Sequence, residues 1–268
     1  MRCYSVDVFS PIPKYANRCL VFCGELPLSD GEMQRRARES GLSETAFIAG
    51  RGETFRLRIF SPVREMGSCI HATLAALYVF RRFLGAVDNA CLLLNDRKIG
   101  GGLAANGVEL GVATLGADKI FSKSARHEFP SIGPHKAQWS AATASGNRRL
   151  MLEQRTRREV ESVDARRIAA LDTRYDDVES YFFYAPINRD RTRFYGRMFA
   201  PKLGIPEDPV NGNSCLALFS KERLARAGLD EIEVVQNTRA RLVVRGNARG
   251  ATIQAQCHLV SSHYSPLY

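Results

Sequence analysis

The sequence predicts an α+β fold, with short antiparallel strands wrapped around two central helices in two similar halves. Three observations lead there. Short β-branched or alternating segments outnumber helical ones along the 268 residues. The segment Ala72–Phe83 is apolar on nearly every side until Arg81-Arg82, as a helix surrounded by sheet would be. Finally, the stretch that opens this helix, Glu65-Met66-Gly67-Ser68-Cys69-Ile70-His71-Ala72, shares its layout with Glu207-Asp208-Pro209-Val210-Asn211-Gly212-Asn213-Ser214. With Glu65 set on Glu207, Cys69 meets Asn211 and His71 meets Asn213, and both polar turns lead into apolar helices.

Taken in order, Tyr4–Phe9 alternates as a strand and is ended by Pro11 and Pro13. Asn17–Phe22 is a second strand. Ser29 and Glu32 form a capping box, so a helix starts there and stops at Gly41. Ser43–Ile48 and Thr54–Phe60 are strands, and the helix 72–83 ends at Gly85. Cys91–Leu94 and Gly107–Ala113 are strands split by a glycine-rich hairpin; its glycines 100–102 lack the Lys-Ser/Thr of a phosphate loop. Residues 116–140 are irregular and join two domains; His127, His135 and Trp139 fall here without ligand spacing. Beyond them lie strands at Arg149–Glu153, Tyr181–Ala185 and Arg193–Ala200, a helix at Val160–Leu171 and the second central helix, Ser214–Ala227, ended by Gly228. Three strands close the chain, at Glu231–Gln236, Arg241–Val244 and Ala251–Val260. The domains expected are 1–116, with the option that the last strand near 255–268 completes it, and 117–254.

Composition narrows the function classes. A 45% hydrophobic content supports a sizeable core and argues against disorder. The seven cysteines are odd in number, scattered and without a Cys-x-x-Cys pair, so they read as reduced thiols of a cytoplasmic protein. The N-terminus is too polar for a signal peptide, and no apolar run approaches the ~18 residues of a membrane span. A net charge of +10 would suit an anionic partner, but the arginines are dispersed and form no nucleic-acid motif; a small anionic metabolite fits better.

The chemistry concentrates at two places. A helix start offers backbone N–H groups and partial positive charge to a substrate carboxylate, and the acid beside it, Asp208, could move a proton; the plainer alternative is an acidic cap on a buried helix. Glu44 begins a strand between apolar neighbours. Turned inward, its carboxylate would be poorly solvated and its pKa raised, which suits a proton carrier; the alternative is a surface glutamate on an edge strand.

Four stretches in order over nearly the whole length resemble the PhzF family, the phenazine-biosynthesis-like isomerases with the diaminopimelate-epimerase fold: Val6-Asp7-Val8-Phe9, Leu42–Phe47 (LSETAF), the E-x-x-x-C-x-H-A-T-L-A-A stretch at 65–76, and GRMFAPKLGIPEDPVNGN at 196–213. Thr143–Gly146 (TASG) matches a further turn. The resemblance implies two pseudo-symmetric halves, each an antiparallel sheet around one helix, with the active site in the cleft between them. It also implies a homodimer and no metal, flavin, nicotinamide or pyridoxal cofactor. Glu44 matches the catalytic glutamate and Asp208 the acid that assists and orients substrate. His71 would hydrogen-bond substrate, Gly212 and Asn213 would present backbone N–H groups to its carboxylate, and Cys69, Asn211 and Ser214 complete the substrate-binding residues. Cys69 lies where racemases of the same fold carry a proton on a thiol; the matching position in the second half, Asn211, cannot exchange protons. The function implied is a cofactor-independent proton shift or epimerisation on a small carboxylate-bearing metabolite. The alternatives are an amino-acid racemase using Cys69 and a non-catalytic binding paralogue. Ile70, where relatives have glycine, favours the last, because it forbids a positive-φ turn and adds bulk beside the anion site. Other departures are Ala16-Asn17-Arg18 for Gly-Asn-Pro, Asn211 for threonine, and NTRARLV for a glycine-arginine turn.

Overall fold

The computed structural model describes all residues except 85–89, 106, 122–136, 145, 173–174, 238, 249 and 265–268. His127, His135, Gly85 and Ser145 therefore lie outside the described residues. The chain forms two compact units, Met1–Val112 with Thr252–Tyr268, and Ala113–Ala251.

The first unit opens with β1 (Arg2–Val8) and β2 (Asn17–Gly24), paired antiparallel. Next comes α1 (Asp30–Ser40), capped as its sequence predicts: Ser29 accepts from the Glu32 N–H at 3.2 Å, and Gly41 closes the helix at φ 65°. β3 (Thr45–Arg51) and β4 (Thr54–Phe60) form a hairpin, and the two-residue β5 (Glu65–Met66) folds back on β4. In α2 (Ile70–Val79) all ten residues are buried, and a wider π-type turn, Phe80–Leu84, continues it. β6 (Cys91–Leu94), β7 (Arg97–Lys98), β8 (Gly101–Ala104) and β9 (Gly107–Val112) follow.

The second unit contains β10 (Ile120–Phe121), β11 (Ala137–Ala142) and β12 (Arg148–Glu153). The helix expected over Val160–Leu171 is two helices, α3 (Arg157–Glu161) and α4 (Ala165–Asp172). The break has a local cause: the Asp164 carboxylate accepts from the Arg166 N–H at 2.9 Å and starts a new helix, as short polar side chains do when they compete with the ladder. Then come β13 (Val178–Pro186), β14 (Arg193–Ala200), the short β15 (Ile205–Asp208), α5 (Gly212–Ala225), β16 (Glu231–Gln236) and β17 (Ala240–Asn247). Gly196 on β14 is required by packing, since a Cβ there would stand 2.3 Å from the Phe182 ring. After β18 (Gly250–Ala255), β19 (Cys257–Tyr264) pairs with β1 in the first unit.

The two units repeat one topology. The strand order is β19-β1-β2-β3-β4-β6-β7 in the first and β10-β11-β12-β13-β14-β16-β17 in the second, with β5 on β4 and β15 on β14. Antiparallel pairs are interrupted in each by two parallel ones, β2/β3 and β4/β6, then β12/β13 and β14/β16. Each parallel pair is bridged by helix, α1, α2, α3 with α4, and α5 in turn, because a parallel return needs a crossover. The sheets are thus mixed: the antiparallel expectation holds for the hairpins and for β1 with β19, but not for these four pairs.

The repeat extends to side chains. Arg58 on β4 stacks over Phe60 at 5.2 Å and pairs with Glu65 on β5. Arg197 on β14 stacks over Phe199 at 4.9 Å and pairs with Glu207 on β15. The glutamates that open the two sequence repeats are therefore structural partners of arginine.

Candidate active site

In the first unit, the β2/β3 pairing begins at Leu20 and Thr45, so Glu44 stands one residue before the register, and Asn17 begins β2. Cys69 is the N-cap residue of α2, and His71 lies in the first helical turn. The Thr73 hydroxyl locks that turn by donating to the Cys69 carbonyl at 2.6 Å. Glu44, Cys69 and His71 are only 3%, 4% and 1% exposed. The inward alternative for Glu44 is the correct one.

His71 Nδ1 lies 3.1 Å from Glu44 Oε2, and Nε2 lies 3.1 Å from the Asn17 carbonyl oxygen. A carbonyl only accepts, so Nε2 carries a hydrogen. Nδ1 then either donates to the Glu44 carboxylate or accepts from its acid form, and one proton serves both groups. The raised pKa expected for Glu44 is corrected here. Burial is the largest single influence and pushes it up, but hydrogen bonds from His71, Ser43 and Cys69, with the charge of His71, outweigh it and hold Glu44 below the usual carboxylate range. The resting carboxylate is a base with a proton donor already in contact.

Phe9 lies beside His71. It ends the Val6–Phe9 motif at φ 73°, outside β1, and its ring lies 6.2 Å from that of His71. Ile70 is the first residue of α2 and is 4% exposed. A helical position needs no left-handed glycine, so the argument from a positive-φ turn does not apply.

In the second unit, Asp208 ends β15 and is 2% exposed. Asn211 caps α5: its Oδ1 accepts from the Ser214 N–H at 2.8 Å, and its Nδ2 donates to Asp208 Oδ2 at 2.9 Å. Asn211 thus serves as helix cap and orienter of Asp208. Gly212 and Asn213 form the first helical turn with Ser214, whose hydroxyl oxygen is buried without a hydrogen-bond partner among the described residues. Such an oxygen is costly unless something else meets it. Cys215 donates its thiol hydrogen to the Asn211 carbonyl at 3.1 Å, and burial drives its pKa up.

Three further residues take part without a motif of their own. The Asn17 carbonyl anchors His71; it is a backbone atom, and the only signal was that 16–18 departs from a familiar tripeptide. Ser43 bonds Glu44 and is the residue before it in LSETAF. Gln236 on β16 accepts from the Asn211 N–H at 3.0 Å, a contact across 25 residues with no local pattern.

The family model for phenazine biosynthesis-like proteins (PhzC-PhzF) matches residues 6–242. The chain belongs to the PhzF family. An uncharacterized isomerase of Pseudomonas aeruginosa is 30% identical to this PhzF-family chain over 241 residues, covering 84% of each. Among solved structures, a PhzF-family protein of Enterococcus faecalis superposes with a TM-score of 0.75 at 23% identity, covering 99% of both chains. A probable proline racemase from Agrobacterium radiobacter shares the fold with a TM-score of 0.63 at 12% identity, covering 100% of this chain and 93% of that one. These relations place the chain among the isomerases, in an α+β fold shared with racemases and epimerases.

Proposed function

We propose that the chain is a cofactor-independent isomerase that shifts a proton on a small carboxylate-bearing metabolite, with Glu44 as proton carrier and Asp208 as supporting acid. The observation that carries this reading is the buried Glu44–His71 pair, in which a carboxylate kept ionised by its hydrogen bonds shares a proton with an imidazole. Glu44 takes the substrate proton from carbon and returns one elsewhere along the activated system, while His71 and Ser43 steady its charge. The Ser214 hydroxyl, without a hydrogen-bond partner among the described residues, and the first turn of α5 supply the chemistry to receive the substrate carboxylate. Cytoplasmic location, from the scattered cysteines, and a homodimer, from the family resemblance, complete the reading; light scattering on the purified chain tests the latter.

A racemase reading has one observation in its favour, the contact between Cys69 and Glu44. Against it, Asn211 stands where a second thiol would be and is occupied as a helix cap. The readings separate in D₂O. The protein is incubated with a pool of amino acids and cyclic or aromatic carboxylates, and mass gain is followed. The isomerase incorporates deuterium into a C–H position; Glu44→Gln abolishes this and Cys69→Ser spares it. Loss of incorporation in Cys69→Ser with retention in Glu44→Gln would establish the racemase instead. A compound that raises the melting temperature without any incorporation would establish a binding protein.

A further inference from the structure

We propose that Glu44, Cys69 and His71 form a three-ligand site for a soft divalent cation of the zinc type, and that this cation and the proton carried by Glu44 exclude one another. The metal site stands on geometry alone; the exclusion rests on the proposed function.

One carboxylate oxygen, one thiol sulfur and one imidazole nitrogen, all from buried residues, lie within 4.8 Å of one another. The nitrogen and oxygen, 3.1 Å apart, are close to the roughly 3.3 Å that separates two ligands of a tetrahedral zinc with bonds of about 2.0–2.1 Å. The sulfur lies within the same 4.8 Å of both atoms. His71 is already oriented as a ligand: its Nε2–H is fixed on the Asn17 carbonyl, the outer contact that turns the opposite ring nitrogen toward a metal. Sulfur and imidazole favour zinc, cadmium or cobalt over magnesium or calcium. A metal-bound thiolate and carboxylate together balance two positive charges. On binding, Zn–S, Zn–N and Zn–O bonds form; the thiol proton and the proton shared by Glu44 and His71 pass to solvent. The fourth tetrahedral position stays open to water or a substrate carboxylate. Since the metal takes the lone pairs that would hold the proton, an occupied site cannot carry out the transfer.

The test is titration of chelator-treated, tag-free protein with Co²⁺, read by the visible bands of a tetrahedral site and the ultraviolet thiolate-to-metal charge-transfer band, followed by displacement with Zn²⁺. The expected result is one cation per chain with the thiolate band. In Cys69→Ser the band should vanish and Zn²⁺ binding should weaken by at least about 100-fold, beyond what loss of an outer partner costs. No band in the wild type would overturn the site, as would a band that persists in Cys69→Ser, which would place it on another thiol such as the half-buried Cys91. Should Cys69→Ser fail to fold, Glu44→Gln decides: weakened Zn²⁺ binding supports the site and unchanged binding overturns it. The exclusion is read separately. Zn²⁺ should suppress deuterium incorporation at concentrations that displace Co²⁺, and incorporation unaffected by bound metal overturns it. If no substrate incorporates deuterium at all, the isomerase reading and the exclusion fall together, while the absorbance result for the metal site stands.

Discussion

Glu44 is held as a base by its neighbours, and removing one of them shows how firmly. In His71→Leu the carboxylate loses its main partner and remains buried, so folding should weaken by about 3 kcal/mol, the scale of breaking one side of a buried pair. Glu44→Gln keeps shape and hydrogen-bonding capacity and should cost about 1 kcal/mol. Urea denaturation of both variants checks the order; equal losses would mean that His71 does not stabilise the Glu44 carboxylate. At this scale the sequence was informative about identity and position but not about electrostatics. The pattern around Glu44 left an inward and a surface position both open, and its 3% exposure decides for the first. The direction of its pKa depends on Cys69 and His71, which lie 25 and 27 residues away, and no local pattern encodes their combined effect.

Among the elements, the repeated Arg–Glu pairs offer an internal comparison. Arg58 is one-third exposed and bonds Glu65, itself 44% exposed, and Asp30, which stands largely in solvent. Arg197 is more deeply set, and besides Glu207 it donates to the carbonyls of Val160, Glu161 and Val163 around the end of α3. Arg58→Met should therefore cost under about 1 kcal/mol, as exposed pairs do. Arg197→Met should cost about 2–3 kcal/mol, because it strips several helix-end carbonyls of their donor. Thermal melts of the two variants measure the difference, and equal shifts would contradict it. The repeat itself was legible from the two acid-turn-helix stretches, as were the caps of α1. The parallel pairs were not, since periodicity identifies a strand without its direction. Nor was the break between α3 and α4, where one capping aspartate outweighs a helical pattern.

The whole molecule carries several buried thiols whose ionisation opposes folding. Burial raises Cys3 to about 11 and Cys257 to about 12, and it drives Cys19, Cys23 and Cys215 upward as well. In the unfolded chain a thiol titrates near 8.5. Above that pH the unfolded state binds fewer protons than the native state, so the thiol contribution is fully present below about pH 8.5 and is lost as pH rises toward the folded values. The urea midpoint should fall between pH 9 and 11, and less steeply in a Cys23→Ala/Cys257→Ala variant. Identical slopes would show that the buried thiols do not control the alkaline limit. Composition alone suggested reduced thiols; the burial of each and its consequence for stability needed the structure.

The central claim is that Glu44 carries the transferred proton. Its most direct test is the rate of deuterium incorporation by wild-type protein and by Glu44→Gln, with melting temperatures recorded on the same samples. The account predicts a loss of about 100- to 10,000-fold in rate, the usual weight of general acid–base catalysis, with little change in melting temperature. A folded Glu44→Gln that exchanges at the wild-type rate would contradict it.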